Sequence, residues 1–380
     1  MILKLRLLII FILLLFASSF IFFYEDIIGN SPQKNIECNN DNMYLFVNNT
    51  KIIDSCSNEV QIYGINWFGF ETPDAVVHGL WANSLDNLLY LIKNAGFNTI
   101  RIPLSIENLD ENYYPKTINY EINPQLSGLT SMEVLDLLID KGCENDLYII
   151  LDNHRNYNTH ISEKMYEGDY NEEKVLRVIR KVINRYKDKK CVIGFDIKNE
   201  PHGSITWNEW AQTSTKVGNE ILSVNPNLLI LVGGIELKKN EEIPYYSFWG
   251  EYIGNTDLVN IDTSKLIFSP HTYGPSVANQ DYFNDENFPD NMPPIWDRYF
   301  GHVKINQSRA VIIGEFGGDY KDQDKIWQDK FIEYLSKINI TNIIYWSLNP
   351  NSKDTKGILK EDWKTYNQEK LTLLSKLKKE

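Results

Sequence analysis

From about residue 60 onward, short apolar runs alternate with stretches whose apolar residues recur every three or four positions. The runs at residues 61–69, 97–105, 147–155, 191–200, 228–234, 265–274, 310–318 and 342–350 are rich in Ile, Val, Leu or aromatics and end in polar or Gly residues, which predicts eight strands. Between them, residues 84–96 place Leu85, Leu88, Leu89 and Ile92 on one helical face, with Gly96 as the stop signal. Residues 171–188 carry acidic groups in the first turn and basic groups in the last, which complements a helix dipole. Further helices are expected at 131–146, 206–224, 324–338 and 361–379. Near-continuous apolar strands alternating with helices mean a parallel sheet covered by helices, hence the α/β class. Eight such units predict a closed (β/α)8 TIM barrel. An open doubly wound sheet is the competitor, but no strand is followed by the glycine fingerprint of that fold.

The first 24 residues break this pattern. Lys4 and Arg6 precede an uncharged run from Leu7 to Tyr24, the pattern of an export signal and close to the length that spans a bilayer. Export is therefore expected, with cleaved peptide and retained membrane anchor both open. Residues 25–40 read as a polar stalk and 41–380 as one catalytic domain that opens with a short hairpin and works as a monomer. Four cysteines suit an exported chain. Cys38 and Cys56 flank a segment able to double back, which predicts a disulfide. Cys143 and Cys191 sit at a helix end and a strand start, either as a second bridge or as buried thiols. Sequons begin at Asn48, Asn306 and Asn339. A formal charge of −13 with no dominant Lys/Arg cluster argues against nucleic acid. The 9 Trp and 22 Tyr supply flat rings suited to cores and to sugar faces alike.

In a barrel of this kind chemistry sits at the C-terminal ends of the strands. Those ends carry Arg101, His154, Asn199, Glu200, His271, Tyr273, Glu315 and Trp346. Singly, each has a bland reading: a strand-end Arg or His is often structural, the Asn-Glu-Pro string can be a turn, and Trp346 can be core. Together they would be costly to bury unless they serve one another. Two carboxyls suit glycoside hydrolysis, where one is protonated and the other ionised, so their environments should push their pKa values apart. Arg101 and Tyr273 are placed to keep Glu315 anionic, whereas Glu200, further from that cation, can hold its proton. Asn199 suits the sugar 2-OH, and Trp346, Trp67 and Trp249 suit stacking on glucose rings.

With these residues in view, the chain resembles glycoside hydrolase family 5, in its branch of endo-β-1,4-glucanases. The resemblance rests on IKNEPHG (197–203) and IIGEFGG (312–318), and extends through GINWFGFET (64–72), HGLW (78–81), LDNHR (151–155), SVNPNLLI (223–230), NMPPIW (291–296) and NPNSKDTKGILKEDW (349–363). It implies a retaining, double-displacement enzyme with no metal or cofactor, Glu315 as nucleophile and Glu200 as general acid/base. Arg101, His154, Asn199, His271, Tyr273 and Trp346 complete the family's active-site set, and His78 joins the substrate-binding residues. Many relatives carry a linker and a cellulose-binding module that this sequence lacks. The same machinery aimed at mannan or mixed-linkage glucan is the competing enzyme reading, and a glycan-binding wall protein the non-enzyme one. Intact Glu200 and Glu315 argue against a mere binder.

Overall fold

The computed structural model describes residues 44–111, 113–238 and 245–379, and residues from Asn40 onward belong to one compact unit. The expected leader, stalk and Cys38 lie outside the described residues. Among the described residues no helix is long and apolar enough to cross a membrane.

Two short antiparallel strands, β1 (Phe46–Asn48) and β2 (Lys51–Ile53), form the expected hairpin, with Val47 opposite Ile52. Seven parallel strands follow: β3 (Tyr63–Asn66), β4 (Thr99–Ser105), β5 (Tyr148–Arg155), β6 (Val192–Asp196), β7 (Leu229–Gly233), β8 (Leu266–Ser269) and β9 (Ile343–Tyr345), ordered β8-β7-β6-β5-β4-β3-β9. The remaining expected strand, 310–318, forms no continuous ladder. It closes the ring through single bridges, Phe268 to Val311, His271 to Glu315 and Ile313 to Ile343. The glycines explain the irregularity. A Cβ on Gly314 would come within 2.2 Å of Ser269 Oγ, and one on Gly317 within 2.1 Å of the Trp346 carbonyl oxygen, so neighbouring backbone and side chains press closer than a side-chain-bearing strand allows.

Helices cover the outside, and four of them start on a side-chain cap. Ser84 caps α1 (Leu85–Asn94), Thr130 and Glu133 form a capping box on α2 (Ser131–Glu144), Asn171 caps α3 (Glu172–Tyr186), and Thr206 with Glu209 boxes α4 (Trp207–Val224). Helices α5 (Asp322–Lys337) and α6 (Gln368–Ser375) complete the layer. The last is shorter than expected because Asp362 accepts the backbone N–H groups of Lys364 and Thr365, a local turn that competes with helix.

Inside the ring, side chains alternate by strand parity. On β5 the inward positions are Ile150, Asp152 and His154. Ile150 joins Ile62, Leu231, Ile267, Ile312 and Ile344 in an apolar floor, and the hairpin plugs it from below with Leu45, Val47 and Ile52. One step up each strand the interior turns polar. The second cysteine pair is a disulfide: Cys143 at the end of α2 is bonded to Cys191 just before β6, with 5.5 Å between Cα atoms. Cys56 is also disulfide-bonded.

Candidate active site

Above the floor the barrel is organised around Arg101, a wholly buried cation on β4. Its Nε donates to Asp196 Oδ2 at 3.0 Å, and Nη2 lies 2.9 Å from the same oxygen and 3.1 Å from Asp152 Oδ2 as ion-pair contacts. Nη1 donates to Asn66 Oδ1 at 2.9 Å and to Glu315 Oε1 at 2.7 Å, and Nη2 to Asn199 Oδ1 at 3.0 Å. Burial alone would push the guanidinium toward neutrality, but Asp152, Asp196 and Glu315 outweigh it and hold the charge. One planar cation thus fixes groups from β3, β5, β6 and the 310–318 segment, which a flexible ammonium could not do in one geometry.

The two glutamates meet above it. Glu315 is nearly sealed; besides Arg101 on Oε1, it accepts the Tyr273 hydroxyl on Oε2 at 2.6 Å. Glu200 keeps 14 % of its side chain open. His271 Nδ1 faces both carboxyls, 3.2 Å from Glu200 Oε1 and 3.6 Å from Glu315 Oε2. Glu200, His271 and Glu315 each present an atom within 4.8 Å of the others, the single cluster among the described residues whose ligand atoms could meet on a metal ion. The backbone at Glu200 is left-handed, with φ 46°, immediately before Pro201. Such a conformation in a non-glycine residue is strained and concentrates at functional sites.

Burial pushes both glutamates up, each to about 7. The expected difference between them therefore lies in their partners rather than in their desolvation. Glu315 has a direct ion pair and a phenol donor for its anion, while Glu200 contacts the His271 imidazole and feels Lys198, its main cation, without a hydrogen bond, an asymmetry that favours the proton on Glu200. Burial pushes His271 down to about 4, against the pull of Glu315. His154 is also driven down, by burial and by the cations Arg101, Arg155 and Lys198. Its Nδ1 sits 2.7 Å from Asp152 Oδ2; an ionised carboxylate only accepts, so Nδ1 carries the hydrogen and Nε2 is left free to accept.

An open cleft of about 670 Å3 lies over this pair, lined by His154, Asn199, Glu200, Tyr273, Glu315 and Trp346 and by residues of a rim that includes Trp249 and Tyr246. Trp249 is 40 % exposed and stacks on His202 with ring centroids 3.9 Å apart. Trp346 stacks against Phe68 and His154 at 5.4 and 5.7 Å. Trp67 is not part of this surface. Strand parity gives the inward position to Asn66 and turns Trp67 outward, where it is wholly buried and its Nε1–H donates to the His78 carbonyl at 2.9 Å. The His78 ring pairs with Asp74 at 2.9 Å and Asn351 at 3.0 Å, packs edge-on to Phe68, and lies beside the partly exposed Trp81, outside the residues that line the cleft. Sequence reasoning missed Asn66, Asp152, Asp196 and Lys198. The signal was available for the last three: a charged residue within an apolar strand needs an inward partner.

The family description "Cellulase (glycosyl hydrolase family 5)" matches residues 54–352. An endoglucanase of Paenibacillus polymyxa is 38 % identical over 88 % of this chain and 87 % of its own. The major extracellular endoglucanase of Xanthomonas campestris pv. campestris is 40 % identical over 88 % of this chain and 71 % of its own. Its solved catalytic domain superposes with a TM-score of 0.83 at 40 % identity, covering 87 % of this chain and 99 % of that one. A cellotetraose complex of the Pyrococcus horikoshii endocellulase gives 0.84 at 36 % identity over 88 % and 98 % of the two chains. The chain belongs to the cellulase family, glycosyl hydrolase family 5.

Proposed function

We propose that this family 5 enzyme, a retaining endo-β-1,4-glucanase, cuts its chain with Glu315 as nucleophile and Glu200 as general acid, then general base. The observation that carries the roles is the unequal environment of two carboxyls facing one imidazole: Glu315 is held by Arg101 and Tyr273, and Glu200 is open to the cleft. Their oxygens lie within 4.8 Å, which favours a close, retaining pair over the wider gap that admits a water between them.

A β-glucan chain lies along the cleft with glucose rings on Trp249 and Trp346. Because Asn199 Oδ1 is occupied by Arg101, its amide N–H groups turn toward the ligand and can donate to the 2-OH. Glu315 attacks the anomeric carbon while Glu200 gives its proton to the departing oxygen, so the glycosidic bond breaks as the ester bond forms. Esterification removes a negative charge beside Glu200 and favours its ionised form. Glu200 then takes a proton from water, whose oxygen attacks the anomeric carbon and releases Glu315 as carboxylate. The apolar run 7–24, together with an extracellular relative, supports a place outside the cell.

Paired variants test the roles. Glu315→Gln should lose about 10^4-fold or more on every substrate. Glu200→Gln should keep its first step on dinitrophenyl cellobioside, whose leaving group needs no proton, and azide should relieve the stalled intermediate. Release of inverted sugar by the wild-type enzyme, followed by NMR, would overturn both roles. Parallel assays on carboxymethyl-cellulose, lichenan and mannan rank the polymers.

A further inference from the structure

Glu251 is 1 % exposed, lies outside the motifs, and has no basic partner among the described residues. Its two oxygens are both used. Oε1 accepts the Thr272 hydroxyl at 2.6 Å and Oε2 accepts the Phe248 N–H at 2.8 Å. These bonds join two pieces of the site. One is the rim segment after β7, whose arms pair through Ile235 and Tyr252 and which bears Tyr246, Trp249 and Gly250. The other is the extension of β8 that bears His271 and Tyr273, each in contact with a catalytic carboxyl.

We propose that Glu251 is a positioning residue for glycan hydrolysis: its buried carboxyl pins the Trp249 rim to the His271–Tyr273 strand end and so fixes the pocket around Glu200. Gly250 is the point of action. It adopts φ +71°, and a Cβ there would come within 3.0 Å of Glu200 Cγ, so the backbone of the rim is itself one wall of the acid's pocket. The Gly250 carbonyl also accepts the His271 N–H at 3.1 Å and the Gly234 N–H at 3.0 Å. Thr272, gripped by Glu251 through its hydroxyl, donates its N–H to the Glu315 carbonyl at 3.1 Å. Losing the carboxyl leaves a buried N–H and a buried hydroxyl without acceptors and frees the wall beside Glu200. Burial pushes Glu251 up to about 7, and Thr272 can accept from the protonated form as readily as it donates to the ionised one. The pin therefore holds in either state.

The inference rests on Glu200 being the acid, and the test separates the two. Glu251→Ala should lower kcat/KM on cellotetraose about 30-fold, the scale of small displacements near a reacting centre. On dinitrophenyl cellobioside, which needs no acid in the step kcat/KM reports, the loss should stay within about 3-fold. Glu251→Gln, whose amide can accept from Phe248 and donate to Thr272, should restore most of the cellotetraose activity. Thr272→Val removes one bond at nearly constant volume and should show the same substrate contrast, smaller, even if Glu251→Ala folds poorly. The proposal is overturned if Gln loses as much as Ala, if both substrates suffer equally, or if Ala and Val leave cellotetraose hydrolysis unchanged. A Glu200→Gln control lacking the substrate contrast would instead overturn the acid role of Glu200, and pinning by Glu251 would still stand or fall on rescue by Gln.

Discussion

The floor and the mouth of this barrel are built from the same strands and handle burial in opposite ways. At the floor, Ile150, Leu231, Ile267 and Ile344 meet the hairpin's Val47 and Ile52, and burial itself is the stabilising term. Two residues further along, β5 offers Asp152 and β8 offers Ser269, and Arg101 gathers carboxylates from three directions. That layer is buried as deeply, yet its ions have left water and are stabilised by one another and by the neutral groups of Asn66, Asn199, His154 and Tyr273. Stability and chemistry therefore occupy successive layers of one ring, and a strand can be altered in either layer with different consequences.

Substitution at matched depth breaks the comparison most forcefully. Arg101→Met should strand Asp152, Asp196 and Glu315 together, costing about 3–5 kcal/mol and nearly all activity. Ile150→Ala should cost about 2–5 kcal/mol by leaving a cavity while kcat stays near wild type. Urea unfolding combined with kinetics on the folded fraction checks both. If Ile150→Ala lowers kcat as much as Arg101→Met does, the layers are not separable.

A smaller effect sharpens the contrast through pH. Burial raises Glu200 and Glu315 from an ordinary 4.5 to about 7. Between those values each carboxyl holds a proton in the folded chain that it has released in the unfolded chain, so its contribution to stability is full below about 4.5 and falls as pH rises toward 7. His271 and His154, pushed down by burial, act in the opposite sense below the ordinary 6.5 of an imidazole. Thermal melts of the wild type and Glu200→Gln across that window isolate the share that belongs to Glu200. Glu200→Gln should lose this carboxyl's share of the decline and exceed the wild type above pH 7 by on the order of 1–3 kcal/mol. On the proposed roles, activity should decline over the same upper range, as Glu200 loses the proton that the acid step uses. Parallel profiles for the wild type and Glu200→Gln would show that Glu200 carries no such cost.

The smallest effect on activity belongs to the lower half. Cys143–Cys191 closes a loop of 48 residues, worth up to about 4 kcal/mol in a chain-entropy account. Cys143→Ser with Cys191→Ser should lower Tm by several degrees and leave kcat at 25 °C unchanged. A fall in kcat would mean that the lower rim reaches the mouth.

The barrel could be read because its strands are apolar on both faces and its helices carry their own caps, signals that are local. The candidate site could be read because charged and aromatic residues stand at the ends of successive strands and converge once the ring closes. Trp67 was misplaced by one position of parity. In a strand buried on both sides, apolar pattern does not distinguish the face toward the barrel from the face toward the helices. The 310–318 segment looked like a strand from its apolar residues, but its glycines admit neighbours too near for a regular ladder. Glu251 left no trace in the sequence because its partners, Phe248 and Thr272, are ordinary residues that only the fold brings to it.

The left-handed backbone at Glu200 bears on how such an enzyme can be improved. Glycine or asparagine would occupy that conformation more comfortably, and an amide would shed the burden of a desolvated carboxyl, so heat resistance and turnover pull this codon in opposite directions. A library screened for survival alone will enrich substitutions at the very position proposed to donate the proton. Selection on released sugar has to accompany every round of thermal challenge.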